Sequence, residues 1–319
     1  MTGHDRLGLV TFELLVGESL PDGLRRMAEE ELDAALASLE SAPDDPVEAI
    51  HSARKRCKQV RTVLRLARGG ALADAEYRRE SLVVRNAARL IGGVRDAQVA
   101  VETLEALRRD LPAPSPDLDA DLEGLGERLD RRQEALVEAA LGKERRVATA
   151  ICQLRLARSR VRRWPLDGDG FATIGPGLAR LHRQGRQRLA KVEREPTTEH
   201  FHELRKRVKD LWYAMRILRP VWPGPQDAVI EEWHRLSDVL GTEHDLAATL
   251  DLAAAELPEE LSSVESAIGA RRSELQAEAV ALARRLFVDR PRDFTRHLEA
   301  CWTLWRSGPG AAAEEGESA

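Results

Sequence analysis

Apolar residues recur at intervals of three and four along almost the whole chain, a spacing that lays one stripe on one face of an α-helix and leaves the other face polar. Start signals divide the pattern. Pro21 and Pro46 stand near helix starts, "PDDP" at 43–46 separates two amphipathic stretches, and "REPTTEHF" near 195 plays the same part later. The periodicity predicts helices over 19–40, 46–68, 72–109 with a break near Gly92 and Gly93, and 118–163. After "WPLDGDG" at 164–170, a loop by composition, helices are predicted over 174–194, 198–219, 226–256 with a break near Gly241, 259–287 and 291–306. "LVTFELLV" at 9–16 reads as a short extended segment, and the closing "GPGAAAEEGESA" offers little to pack, so 307–319 is expected to be a disordered tail.

Composition agrees with the pattern. Leu, Ala, Arg and Glu dominate, aromatic residues are only 4%, and the β-branched and aromatic runs that strands need are missing. The fold class is therefore all-α. Cys57, Cys152 and Cys301 lie far apart in no metal-ligand spacing, so no disulfide framework, zinc site or other cofactor is expected. No leader and no run of 18 apolar residues is present, which points to a cytoplasmic protein without membrane contact.

Charge changes the picture through its distribution. The 49 Lys and Arg against 54 Asp and Glu give a net charge of −5, which argues against a generic nucleic-acid binder. Yet Arg54, Lys55, Arg56, Lys58, Arg61, Arg65 and Arg68 follow one another with no acid between them, and five arginines from Arg155 to Arg163 do the same. The first stretch is repeated. "HSARKRCKQVRTVLR" at 51–65 aligns with "HELRKRVKDLWYAMR" at 202–216, pairing His51 with His202, Arg54 with Arg205, Lys55 with Lys206, Arg56 with Arg207, Lys58 with Lys209 and Arg65 with Arg216. "IGGVRDA" at 91–97 then aligns with "LGTEHDL" at 240–246, pairing Gly92 with Gly241 and Asp96 with Asp245. Two blocks in the same order at nearly the same offset imply a duplication, hence two tandem four-helix bundles about a pseudo-two-fold.

On a helical wheel His51, Arg54, Lys55, Lys58, Thr62 and Arg65 share one arc, with Ala53, Cys57, Val60, Leu64 and Ala67 opposite. In the second copy His202, Arg205, Lys206, Lys209, Tyr213 and Arg216 oppose Leu204, Val208, Leu211, Met215 and Leu218. A single basic helix face is most often only solvated and paired with nearby acids. Here the first copy carries no acid, stacks cations three and four residues apart, and repeats a histidine in the second copy. Such faces call for a polyanion. Guanidinium forks, ammonium groups, imidazoles and one phenol are phosphate donors, and if the faces converge they form a basic central groove or pore.

Three functions compete. A phosphate chain without bases fits the donor set. A metal-dependent phosphohydrolase or a phosphohistidine enzyme using His51 or His202 meets Lys55 and Lys206 at i+4, where cations repel a metal, and lacks a Gly-rich nucleotide loop. Nucleic acid would ask for amide side chains at base edges or aromatic platforms, which the first basic arc lacks. His182, His200, His234 and His297 read as packing or surface residues, and the six Trp as core.

At the two basic helices the sequence resembles the CHAD family, the conserved histidine α-helical domain, whose motifs run close to HxxRVxxKRLR and HxLRKxxKxLRY. His51, Arg54, Lys58 and Arg61 fill the first, and His202, Leu204, Arg205, Lys206, Lys209, Leu211 and Tyr213 the second. Lys55 departs where Val is usual, Gln59-Val60 replaces Arg-Leu, and Trp212 replaces Arg. The resemblance covers about 10–306, one domain of two repeats at about 10–165 and 172–306. It implies non-catalytic binding of inorganic polyphosphate in a basic pore, at intracellular polyphosphate granules and beside other granule proteins. No CYTH-type triphosphatase precedes the repeat. Arg131, Arg183, Arg186 and Arg271 are further pore candidates that no motif fixes. A bound polyanion favours imidazolium, so affinity is expected to rise as pH drops through about 6.5.

Overall fold

Caps decide where the helices begin. The computed structural model describes residues 12–110, 116–142, 145–256 and 262–308. Helix α1 (Leu20–Glu40) starts where the Ser19 hydroxyl accepts from the Asp22 N–H, with proline in the first turn. Helix α2 (Pro46–Ala67) repeats the device with the Asp45 carboxylate and Glu48 N–H. Five more helices follow: α3 (Asp74–Leu90), α4 (Gly92–Asp110), α5 (Pro116–Leu141), α6 (Arg146–Arg160) and α7 (Gly175–Arg194). Helix α8 (Thr198–Ile217) is capped by the Thr197 hydroxyl on the His200 N–H. The chain ends in α9 (Pro225–Glu256), α10 (Ser262–Leu286) and α11 (Pro291–Arg306). The described residues form no strand, only an isolated bridge between Arg68 and Leu72, so the protein is all-α.

Two groups of helices share one core. Helices α1, α2, α3 and α6 pack together, as do α7, α8, α9 and α10, with α11 against α7. Ile50, Val60 and Leu64 of α2 belong to the same apolar cluster as Leu204, Val208 and Leu211 of α8. Each such side chain stabilises the fold by about 1.5–3 kcal/mol, so the motif helices are held from behind by their apolar stripes. Helices α4 and α5 reach across instead. Leu104, Leu125 and Leu129 join Leu246, Ile268 and Leu275 of α9 and α10 in a second, smaller cluster.

The predicted break near Gly92 is present, between α3 and α4. The one near Gly241 is not. Helix α9 runs unbroken through Gly241, because a single interior glycine costs a helix about 1 kcal/mol and keeps its backbone hydrogen bonds. The single helix predicted over 118–163 is two, α5 and α6, separated by a turn in which the Arg145 N–H donates to the Gly142 carbonyl. Of the extended segment predicted at 9–16, residues 12–16 are irregular. Phe12 and Leu14 are buried, and the Leu14 N–H donates to the Ile217 carbonyl at 3.1 Å. Residues 9–11 and 309–319 lie outside the described residues. No helix among the described residues is long and apolar enough to cross a membrane.

Candidate anion-binding site

The apolar stripes of α2 and α8 are buried as their wheels predict, and part of each basic face approaches the other helix. Arg65 of α2 forms an ion pair with Asp210 of α8 at 2.9 Å, both side chains nearly buried. Two turns back along α2, about 10 Å, Lys58 stands within electrostatic reach of Lys209 and Arg205 of α8 and of Arg54 on its own helix.

This crowding is expensive for the lysines. Lys58 keeps a solvent-exposed surface, but the protein around it, then Lys209, Arg205 and Arg54, pull its ammonium down to about 7 despite Asp96. Burial and Arg205, followed by Lys55, lower Lys209 to about 8 despite Asp238 and Asp245. Arg61 falls to about 10 through burial and Arg65, with Arg85 adding to the effect. Buried donors also remain unmet. The Nε atoms of Arg61 and Arg205 have no hydrogen-bond partner among the described residues.

The Gly-Asp block of the first copy holds its motif arginine. Arg54 donates to the Ala88 carbonyl at 3.1 Å and to Asp96 at 3.4 Å, while a Cβ on Gly92 would lie 2.5 Å from its Nη1. Gly241 faces Arg205 at a looser 3.9 Å. Asp96 is thus an ion-pair partner. Among the described residues no group of three or more His, Cys, Asp or Glu is arranged to hold a metal ion.

His202 meets a residue from outside both motifs. Its Nδ1 lies 3.2 Å from Nδ1 of His244 on α9, a contact that needs one ring to donate and the other to accept. Burial, then Arg205, His202, Lys206 and Lys58, push His244 down to about 3, and burial with Lys206 and Arg205 lowers His202. His202 is therefore harder to protonate than an ordinary histidine, because burial and then Lys206 and Arg205 disfavour its imidazolium. His51 is half-buried on α2, and Lys206 is exposed and ion-paired with Glu203 at 2.6 Å.

Two predicted residues go elsewhere. Tyr213 is only 2% exposed, edge-on to Phe12, and burial pushes its phenol up to about 12, so it presents no donor to a ligand. Arg216 lies over Phe12 and Trp212 at 5.9 and 5.5 Å. Trp212, the residue replacing an arginine, stacks on His234 with ring centroids 4.5 Å apart. The second arginine run is largely neutralised: Arg155, Arg158 and Arg162 pair with Glu40, Asp33 and Glu29 of α1, and Arg160 with Glu80 of α3. Among the unassigned arginines, Arg186 donates to the carbonyls of Phe287, Val288 and Asp289 beyond α10. Arg271 pairs with Glu274, and Arg131 and Arg183 are exposed.

Sequence reasoning missed a recess beside Arg65. It is lined by Arg65, Arg68, Tyr77, Arg180, Gln184 and Arg207 and is open over about 110 Å³. Gly177 makes it: at this point α7 runs so close to α2 that a Cβ would sit 2.0 Å from the Leu66 carbonyl oxygen. That approach brings Arg180 against Arg68, whose carbonyl it reaches at 2.8 Å. Arg65, Arg68 and Arg207 stood in the basic runs of α2 and α8, but Tyr77, Arg180 and Gln184 come from α3 and α7, which carry no motif.

A family model described as CHAD domain matches residues 26–254. Among solved structures, the crystal structure of the CHAD domain from the plant Ricinus communis is similar with a TM-score of 0.55 at 17% sequence identity, over 95% of this chain and 98% of that one. At that identity the likeness is one of fold. The comparison with curated proteins found no match.

Proposed function

Because the chain belongs to the CHAD domain family, we propose that it binds inorganic polyphosphate, without turning it over, along the band where α2 meets α8. The observation that carries this reading is the approach of Lys58 and Lys209, two ammonium groups from the two motif copies, each depressed first by the protein packed around it and then by neighbouring cations. A folded protein gains nothing from such crowding unless an anion relieves it. Phosphate oxygens do so by accepting from the ammonium groups, the guanidinium forks of Arg54 and Arg205, and the imidazole edges.

A chain of phosphates fits better than nucleic acid. Gln59 and Thr62, the uncharged polar side chains in this part of α2, are buried and offer nothing to a base edge. The ion-paired arginines at 155, 158 and 162 remove much of the second basic surface that a duplex would use. A cytoplasmic protein with this affinity would collect at polyphosphate granules beside other granule proteins.

Calorimetric titration with long-chain polyphosphate tests the reading. Wild type is expected to bind with an affinity that falls steeply with salt. A Lys58→Ala/Lys209→Ala variant is expected to lose at least about tenfold, roughly 1.4 kcal/mol. Equal affinities would remove the band from the reading. Sustained orthophosphate release with Mg²⁺ or Mn²⁺ would overturn the non-catalytic part, and RNA competing at equal mass concentration would overturn the selectivity.

A further inference from the structure

The two ends of the basic band differ. At one end lies the recess, where Arg65 and Arg207 are both oriented by Asp210, at 2.9 and 3.0 Å, and Arg207 also donates to Gln184 at 3.0 Å. Arg68 is held by Asp74 at 2.7 Å and lies over the Tyr77 ring at 4.5 Å. Arg180 enters from α7, donates to the Arg68 carbonyl at 2.8 Å and lines the recess. Four guanidinium groups thus face two carboxylates, a net charge of +2 before any ligand.

The other end has lost these parts. By the offset of the repeat, Trp212 stands where the first copy has Arg61, and Gln59 stands where the second has Asp210. Arg216, the counterpart of Arg65, has no carboxylate at that slot to orient it and lies over aromatic rings instead. Arg219, the counterpart of Arg68, is taken up by Asp227 and Glu13. The band is therefore directional, with oriented forks at one end and a stacked indole and imidazole at the other.

Resting on the polyphosphate reading, we infer that the recess formed by Arg65, Arg68, Arg180 and Arg207 takes the terminal phosphate of a linear chain, whose internal phosphates run along the lysine band. The two sites differ in the chemistry they suit. An internal phosphate carries one negative charge and is matched by a point charge such as Lys58 or Lys209. A terminal phosphate loses a second proton near neutral pH, as phosphate monoesters do with a pKa of about 6, and presents three oxygens. Bidentate guanidinium forks match that group best. The recess has room for more than one water-sized group, enough to admit a phosphate head.

Linear tripolyphosphate and cyclic trimetaphosphate separate the sites, because each holds three phosphorus atoms but only the first has ends. Arg180→Gln is expected to weaken tripolyphosphate at least about tenfold, roughly 1.4 kcal/mol, and trimetaphosphate less than about twofold. Arg180→Lys, which keeps the charge and removes the fork, is expected to show the same selective loss. Circular dichroism and thermal melting establish that both variants fold, and Gln184→Ala serves as a second probe of the recess. Equal losses for both anions, or unchanged tripolyphosphate binding beside intact long-chain binding, would overturn the terminal site and leave the function standing. Orthophosphate binding as tightly as tripolyphosphate would overturn it in favour of a free-anion site. Failure of wild type to bind long chains would remove the function and this inference together.

Discussion

Arg65 of α2 and Asp210 of α8 meet at 2.9 Å, a direct ionic link between the two motif helices. Asp210 also holds Arg207 at 3.0 Å, so one buried carboxylate restrains two cations. Replacing it by Asn leaves both arginines poorly compensated. Removing one partner of such a pair costs about 3 kcal/mol or more. Asp210→Asn is expected to lower the urea midpoint by that measure, and polyphosphate at a hundred times its Kd is expected to return up to about 2.7 kcal/mol. No change in midpoint would mean that the pair holds nothing together.

The depressed lysines set the pH dependence. Lys58, lowered to about 7, and Lys209, lowered to about 8, are largely neutral above those values in the free protein. A polyanion draws their protons back. Binding is therefore expected to take up protons, and affinity to fall as pH rises from 7 to 9. Stability of the free protein moves the other way, because the unfolded lysines hold their protons over this window while the folded ones do not, so stability rises with pH. Burial lowers His244 to about 3 and lowers His202 as well, so neither ring gains charge over this window and the two lysines carry the response there. Calorimetry in two buffers of different ionisation enthalpy reads the proton uptake, and Lys58→Arg/Lys209→Arg is expected to abolish it.

The paired glycines separate geometry from ancestry. A Cβ on Gly92 would stand 2.5 Å from Nη1 of Arg54, whereas one on Gly241 would stand 3.9 Å from Nη2 of Arg205. Gly92→Ala is expected to displace Arg54 from Asp96 and weaken polyphosphate binding. Gly241→Ala lies inside α9 and is expected to stabilise by about 0.5–1 kcal/mol with binding unchanged. Melting and titration of the two variants side by side check both halves of the contrast.

Helices, repeat and basic faces were legible because periodicity and charge are local properties of the chain. What a charge touches is not. Arg56 stands in the same basic run as Lys58, but it is spent on Glu31, a carboxylate of α1 that is fully buried. Tyr213 shares the wheel arc of Lys209, but it meets Phe12 from the opening segment and is covered. Gly241 carries the same punctuation as Gly92, and only the surrounding helix decides that one breaks and the other does not. The recess was least legible, since Arg180 and Tyr77 come from helices whose sequences carry no repeat of the motif.

Gly177 is where the recess and the fold depend on the same contact. Its helix lies so near α2 that a Cβ would stand 2.0 Å from the Leu66 carbonyl oxygen and 2.5 Å from that of Arg65. Those atoms are backbone, so no side-chain rotation relieves the clash, and the helices must separate. Overpacking of this kind costs about 1–3 kcal/mol. Gly177→Ala is expected to lower the melting temperature and to carry Arg180 away from Arg68, weakening tripolyphosphate more than trimetaphosphate. Loss of stability with the tripolyphosphate preference intact would show that the close approach of α7 serves packing alone.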